Sequence, residues 1–256
     1  MRVPLPAAFL TAPLAHRAYH DRGLGRPENS RGAIMAAITA GYGIEIDLQL
    51  SSDSVAMVFH DEALGRLTTS TGLIKHHTAT GLAQIKLRDS DETIPTLAEI
   101  LTLVAGRTPL LVEIKDQTDT MSDTDGRLEA ATATLLATYQ GHVAVMSFNP
   151  HAIAHIARLA PHIPRGLTTS AYDSTDWAPL ATTTCDHLRG IPDYDRTLSS
   201  FISHEAADLA RPRIADLKSQ GAAILCWTIR SPAAEAEARK IAQNITFEAY
   251  AAALPA

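Results

Sequence analysis

Strand-like and helix-like segments alternate along almost the whole chain, and this rhythm limits the fold more than any other feature. APLAHR (12–17) is a short apolar strand candidate. SRGAIMAAITAGYG (30–43) is helical, with Ile34, Ala37, Ile38 and Gly41 on one face, Ser30 as N-cap and Gly41 or Gly43 as stop. GIEIDLQL (43–50) alternates Ile44, Ile46, Leu48 and Leu50 with Glu45, Asp47 and Gln49, the period of a β-strand. VAMVFHD (55–61) is a further strand candidate, TLAEILTLVAG (96–106) a helix, PLLVEIK (109–115) a strand and GRLEAATATLLATYQG (126–141) a helix. HVAVMSFNP (142–150) and HAIAHIARLAP (151–161) repeat the strand–helix pair. Weaker strands are predicted near IPRGLTT, SSFISH, AAILCWTI and NITFE, with a helix interrupted at Pro212 between the second and third of these.

Strands separated by helices pair in parallel through right-handed crossovers. Roughly eight such units in a chain of 256 residues predict an α/β fold, a TIM (β/α)8 barrel. A doubly wound open sheet is the alternative, but no G-x-G-x-x-G follows the first strand, which weakens its dinucleotide-binding form. Residues 61–95 lack a clear period and read as a small insertion on the C-terminal rim. No linker divides the chain, so 1–256 reads as one domain.

The formal charge of -6 and the lack of a basic block disfavour nucleic acid as a partner. Cys185 and Cys226 form no C-x-x-C, which suggests a reducing compartment. The N-terminal apolar piece is short and broken by prolines, and no run of 18 apolar residues occurs. A cytoplasmic protein without a membrane span is the expectation.

The polar faces of two strands carry the chemistry. On GIEIDLQL, Glu45 and Asp47 lie about 6.6 Å apart on one face. On PLLVEIK, Leu110, Val112 and Ile114 face one way, and Leu111, Glu113 and Lys115 the other. A barrel packs the apolar face under helices and turns the other toward its C-terminal mouth, where active sites form. Three acids and a lysine in one mouth are costly unless paired. A hard divalent cation would pair them. So would a buried network of Lys115 with Glu113 or Asp47, and spacing alone leaves both open. His16 and His60 close strand candidates, as acid/base groups titrating near neutrality would. Arg17 adds a fork suited to phosphate. His151 and His155 have the i, i+4 spacing of a metal pair but no evident third ligand, and read as solvent-exposed. No G-x-S-x-G, P-loop or H-E-x-x-H is present.

AHR (15–17), PENS (27–30), EIDLQLSSDS (45–54), VFHDEALGRLT (58–68), IPTLAEIL (94–101), EIK (113–115), SFNP (147–150) and WTI (227–229) follow one another in the order of the glycerophosphodiester phosphodiesterases, which this chain resembles over about residues 12–247. The resemblance implies a TIM barrel that hydrolyses a small-molecule glycerophosphodiester to sn-glycerol 3-phosphate and an alcohol. It implies one divalent cation, Mg²⁺ or Ca²⁺, on Glu45, Asp47 and Glu113. It makes His16 and His60 the acid/base pair and gives the phosphate to Arg17 and Lys115. Glu28 becomes an orienting carboxylate accompanied by Asn29, and Phe148 and Trp227 line the substrate. A related phosphodiesterase acting on lysophospholipid or sphingolipid, and a non-catalytic phosphate-binding barrel, are the competing readings. The chain departs from the family at Ala18, where glycine is usual. Its last strand ends in ITFE, which puts Glu248 at a mouth position usually held by another residue.

Overall fold

The computed structural model describes residues 1–255. Its strands are β1 (Leu14–Ala15), β2 (Gly43–Leu50), β3 (Ala56–Val58), β4 (Leu110–Ile114), β5 (Val143–Ser147), β6 (Arg165–Thr169), β7 (Phe201–Glu205), β8 (Ala223–Ile229) and β9 (Asn244–Phe247). β1 pairs in parallel with both β2 and β9, and parallel pairing continues from β2 through β4, β5, β6, β7 and β8 to β9. The ring therefore closes as the expected (β/α)8 barrel of eight parallel strands.

VAMVFHD does not join that ring. Only Ala56–Val58 is extended, and it runs antiparallel to the end of β2, with Leu48 opposite Val58. The reason lies in the connection. A parallel return needs a crossover of about a dozen residues or more, and the turn from Leu50 to Ala56 permits only a reversal. Two outer helices, Thr182–Arg189 and Pro232–Ala238, were not legible in the sequence. Their sequences, TTTCDHLR and PAAEAEA, carry too few large apolar residues to show a period.

Local signals explain the helices that were legible. Ser30 accepts a hydrogen bond from the Ala33 amide, and Gly41, with φ +79°, ends the helix Arg31–Ala40. A reciprocal Thr96–Glu99 capping box opens Leu97–Val104. The interrupted segment before β8 becomes a helix that starts at Pro212, where proline's missing N–H costs nothing.

The period-two pattern separates two apolar layers. Leu110, Val112 and Ile114 pack outward with helix residues such as Ile34, Ile100 and Leu128. Leu111 turns inward with Leu14, Ala144, Met146, Phe201 and Leu225. Phe9, on the short helix Ala8–Thr11, belongs to this inner layer and is fully buried. The Asn244 side chain fastens that segment by donating to the carbonyls of Phe9 and Ala12 at 2.8 and 2.7 Å. The proline-broken N-terminus is thus a plug in the barrel floor. Phe201 leaves no room on its neighbour: a Cβ at Gly166 would lie 2.5 Å from the ring.

Residues 61–95 carry two 3₁₀ turns, Leu64–Arg66 and Ile74–His76, and the short helix Ala79–Leu82. Leu64, Leu67, Ile74, Leu82, Leu87 and Ile94 form a small apolar cluster with Met57 and Phe59. Glu92 ties this segment to the barrel by accepting from the Gly32 amide at 2.7 Å. Among the described residues no helix is long and apolar enough to cross a membrane.

Candidate active site

The register of β2 and β4 sets Asp47 directly opposite Glu113 on adjacent strands. Glu45 shares their inward face one pleat earlier. The three carboxylates are buried, with ligand-competent oxygens all within 4.8 Å of one another. Among the described residues no other group of three acid, histidine or cysteine side chains converges this way.

Lys115 Nζ donates to Asp47 at 2.7 Å and to Glu113 at 2.5 Å. The network that spacing alone allowed therefore exists, but it accounts for only two of the acids. Glu45 has no cationic side chain within ion-pair distance among the described residues, and its Oε2 accepts only the Arg17 backbone N–H at 2.8 Å. Burial, with Asp47 and Glu113 as like-charged neighbours, pushes Glu45 well above the usual carboxylate range. Burial opposes ionisation of Asp47 as well, but Lys115, His60 and Arg17 outweigh it and hold Asp47 far below that range. Asn29 fixes Asp47 by donating to its Oδ2 at 2.9 Å. A buried carboxylate without a counter-charge, beside two others with hard oxygens, fits a divalent cation.

Arg17 and Ala18 reach the site through an unusual turn. Both take left-handed backbone, with φ +51° and +66°. The turn lets successive amides meet one residue: Arg17 N–H reaches the Glu45 carboxylate and Ala18 N–H the Glu45 carbonyl, at 2.8 and 2.9 Å. The departure at Ala18 thus falls where glycine would cost least. Glu28 accepts from Arg17 Nη1 at 2.9 Å, and Arg17 Nε lies 3.8 Å from Asp47.

His16 and His60 line the same cavity of about 160 Å³, with Arg17, Glu45, Glu113, Lys115, Phe148 and Trp227. Each histidine has a carboxylate on Nδ1: Glu248 at 2.5 Å from His16, and Asp61 at 2.7 Å from His60. Nε2 is therefore the nitrogen each ring keeps for other partners. Burial lowers the His16 pKa, and the Glu248 hydrogen bond only partly restores it. The net shift favours the neutral imidazole. Phe148 and Trp227 meet edge to face at 5.4 Å, and the indole N–H donates to the Ser203 carbonyl. The hydroxyls of Thr168 and Thr246, both on the cavity wall, are buried without a hydrogen-bond partner.

All the residues singled out in the sequence gather at this one end of the barrel, with Asp47, Glu28 and Asn29 set behind the cavity wall and bonded to residues that line it or to each other. Three participants had gone unassigned. Asp61 follows His60 directly, which was a usable signal. Arg66 bonds both Asp61 and Glu28. Glu248, noted only as a departure, meets His16 from 232 residues away and also accepts from Arg230 Nε at 2.8 Å. His20 Nε2 also lies 3.6 Å from Glu248. His155, read as solvent-exposed, is mostly covered and is engaged by Asp123 and Arg158.

A closed parallel barrel with acids, histidines and basic side chains at its C-terminal mouth defines the class of (β/α)8 barrel proteins whose site lies at this end. The chain belongs to the glycerophosphoryl diester phosphodiesterase family, whose profile matches residues 16–246. It is 32% identical over 152 residues to a glycerophosphodiester phosphodiesterase of Caldanaerobacter subterraneus subsp. tengcongensis, a match covering 55% of this chain and 60% of that protein. It is 31% identical over 172 residues to a Bacillus altitudinis glycerophosphodiester phosphodiesterase, covering 62% of this chain and 67% of that one. The matched stretch thus spans about three fifths to two thirds of these relatives' length. In fold it is similar to an Oleispira antarctica phosphodiesterase solved in complex with the product sn-glycerol-3-phosphate, with TM-score 0.76, 24% identity and 94% of each chain covered.

Proposed function

We propose that this protein hydrolyses glycerophosphodiesters to sn-glycerol 3-phosphate and an alcohol. One observation carries the reading: two histidines, each held at Nδ1 by a carboxylate, line the cavity that Glu45, Glu113, Arg17 and Lys115 also line, with Asp47 directly behind its wall. Binding alone needs no such acid/base couple. Family membership and the activity for which its relatives are named support the same conclusion.

Glu45, Asp47 and Glu113 would hold one Mg²⁺ or Ca²⁺. When bound, the ion supplies Lewis-acid polarisation and charge screening beside the phosphate. The chain's own groups do the rest. His16, buried and with its pKa lowered toward the neutral base, takes the proton of the glycerol 2-hydroxyl through Nε2, and that oxygen attacks phosphorus. Glu248 fixes the imidazole and stabilises the imidazolium that forms. His60, oriented by Asp61, protonates the leaving alcohol oxygen as its bond to phosphorus breaks. Water then opens the cyclic phosphate with the two roles reversed. Arg17 and Lys115, both on the cavity wall, stabilise charge on the phosphoryl oxygens.

The test is release of glycerol 3-phosphate from glycerophosphocholine and glycerophosphoethanolamine, with Mg²⁺, Ca²⁺ or EDTA, beside choline release from lysophosphatidylcholine. H16A and H60A should each lose about 10²–10⁴-fold in rate. Normal turnover in both variants would sink the two-histidine scheme. Choline release without glycerol 3-phosphate would move the activity to the lysophospholipid reading, and no turnover of any substrate would favour a binding barrel.

A further inference from the structure

The carboxylates behind Arg17 and His60 are themselves gripped by one side chain from the rim insertion. Arg66 donates to Asp61 through Nε at 2.6 Å and Nη2 at 2.8 Å. It donates to Glu28 through Nη1 and Nη2, both at 2.8 Å. Asp61 in turn holds His60, and Glu28 holds Arg17. The result is a continuous chain, Arg17–Glu28–Arg66–Asp61–His60, in which each carboxylate sits between two nitrogen donors. Both carboxylates use the same Nη2. Removing the guanidinium leaves two like charges close together with nothing between them.

We propose that Arg66 is a positioning residue for the reaction proposed above, fixing His60 through Asp61 and Arg17 through Glu28 at the same time. The inference rests on that reading of the site. Arg66 does not line the cavity, so it acts through its two carboxylates. The Arg66 fork gives each carboxylate two hydrogen bonds, four in all, and an ammonium has only three donors on a single atom. The role also gives the insertion a purpose. Arg66 ends the 3₁₀ turn Leu64–Arg66, between Leu64 and Leu67, which are buried in the insertion's own cluster. Arg88 pins that turn from behind by donating to the carbonyls of Gly65 and Thr68 at 3.0 and 2.5 Å. The Arg66 side chain remains half exposed, at 48%. Truncation therefore opens a gap that a small cation can enter from solvent.

The experiment compares R66A, R66K and wild type, with R127A at a remote surface pair as control, in release of glycerol 3-phosphate from glycerophosphocholine. R66A should lose about 10²-fold in kcat through misplacement of His60 and Arg17, with a smaller rise in KM. R66K should recover less than about a tenth of the loss, because charge alone does not restore the fork. Millimolar guanidinium should raise R66A activity and leave wild type and R127A unchanged. R66A within about twofold of wild type, full recovery in R66K, or no response of R66A to guanidinium would each overturn the proposal. Crystal structures of wild type and R66A give a readout independent of turnover. The expected result is that Asp61 leaves His60 Nδ1 and Glu28 leaves Arg17. Both carboxylates in unchanged positions overturn the inference while the phosphodiesterase reading stands. A wild-type protein inert toward every glycerophosphodiester removes that reading instead and leaves the structural comparison to decide the role of Arg66.

Discussion

His16 works against its surroundings, and Glu248 sets how far. Burial disfavours the imidazolium, while the carboxylate on Nδ1 favours it and fixes Nε2 as the free nitrogen. Since the net shift is downward, the acid limb of kcat/KM should fall below the ordinary histidine value of about 6.5. E248Q removes an influence that raises the pKa. The limb should therefore move to still lower pH, and kcat should drop about 10²-fold as the imidazolium loses its partner. A pH–rate profile of E248Q that overlays wild type would exclude Glu248 from the reaction. Glu248 itself is held far below the usual carboxylate range, first by its His16 hydrogen bond, so it stays ionised across that profile.

At the scale of elements, two close approaches decide how the barrel closes. Gly166 on β6 faces the Phe201 ring on β7, and the two residues are paired across the strands. G166A forces a methyl to within 2.5 Å of that ring, so β6 or β7 must shift. A loss of about 1–3 kcal/mol in urea unfolding is expected. The floor plug offers the complementary test. F9A empties a fully buried position and should cost about 3–5 kcal/mol. Activity per folded molecule should survive in F9A, because Phe9 lies in the inner layer at the opposite end from the mouth.

For the whole molecule, the unmatched Glu45 predicts that folding and cation binding are linked. Its pKa is raised on folding, so its contribution favours the fold below the unfolded value of about 4.5 and is lost as pH rises past it. A divalent cation reverses that sign at neutral pH by pairing the ionised form. Mg²⁺ or Ca²⁺ at about 100 times its Kd should add about 2.7 kcal/mol, or about 5–10 °C in Tm for a chain of this size. The effect should shrink as pH falls and Glu45, whose carboxyl is held well above the usual range, protonates, and it should be blunted in E45Q. Equal Tm with EDTA and with either cation at pH 7.5 would show that no such linkage exists.

Periodicity and capping are local, and what they govern was legible in the chain. The faces of β2 and β4, the ends of the helix Arg31–Ala40 and the alternation that makes a barrel all follow from residues within a turn or a pleat of one another. The direction of VAMVFHD was not legible, because a strand candidate carries no mark of its partner; the short turn after β2 chose it. The resemblance supplied the site residues one by one, yet not the contacts that hold them. Asp47 meets Glu113 only because β2 and β4 pair in that register. Glu248 reaches His16 only because β9 closes the ring onto β1. Sequence by itself determined which side chains point inward. Tertiary structure alone decided which charges meet there, since those meetings depend on strand register and ring closure between segments far apart in the chain.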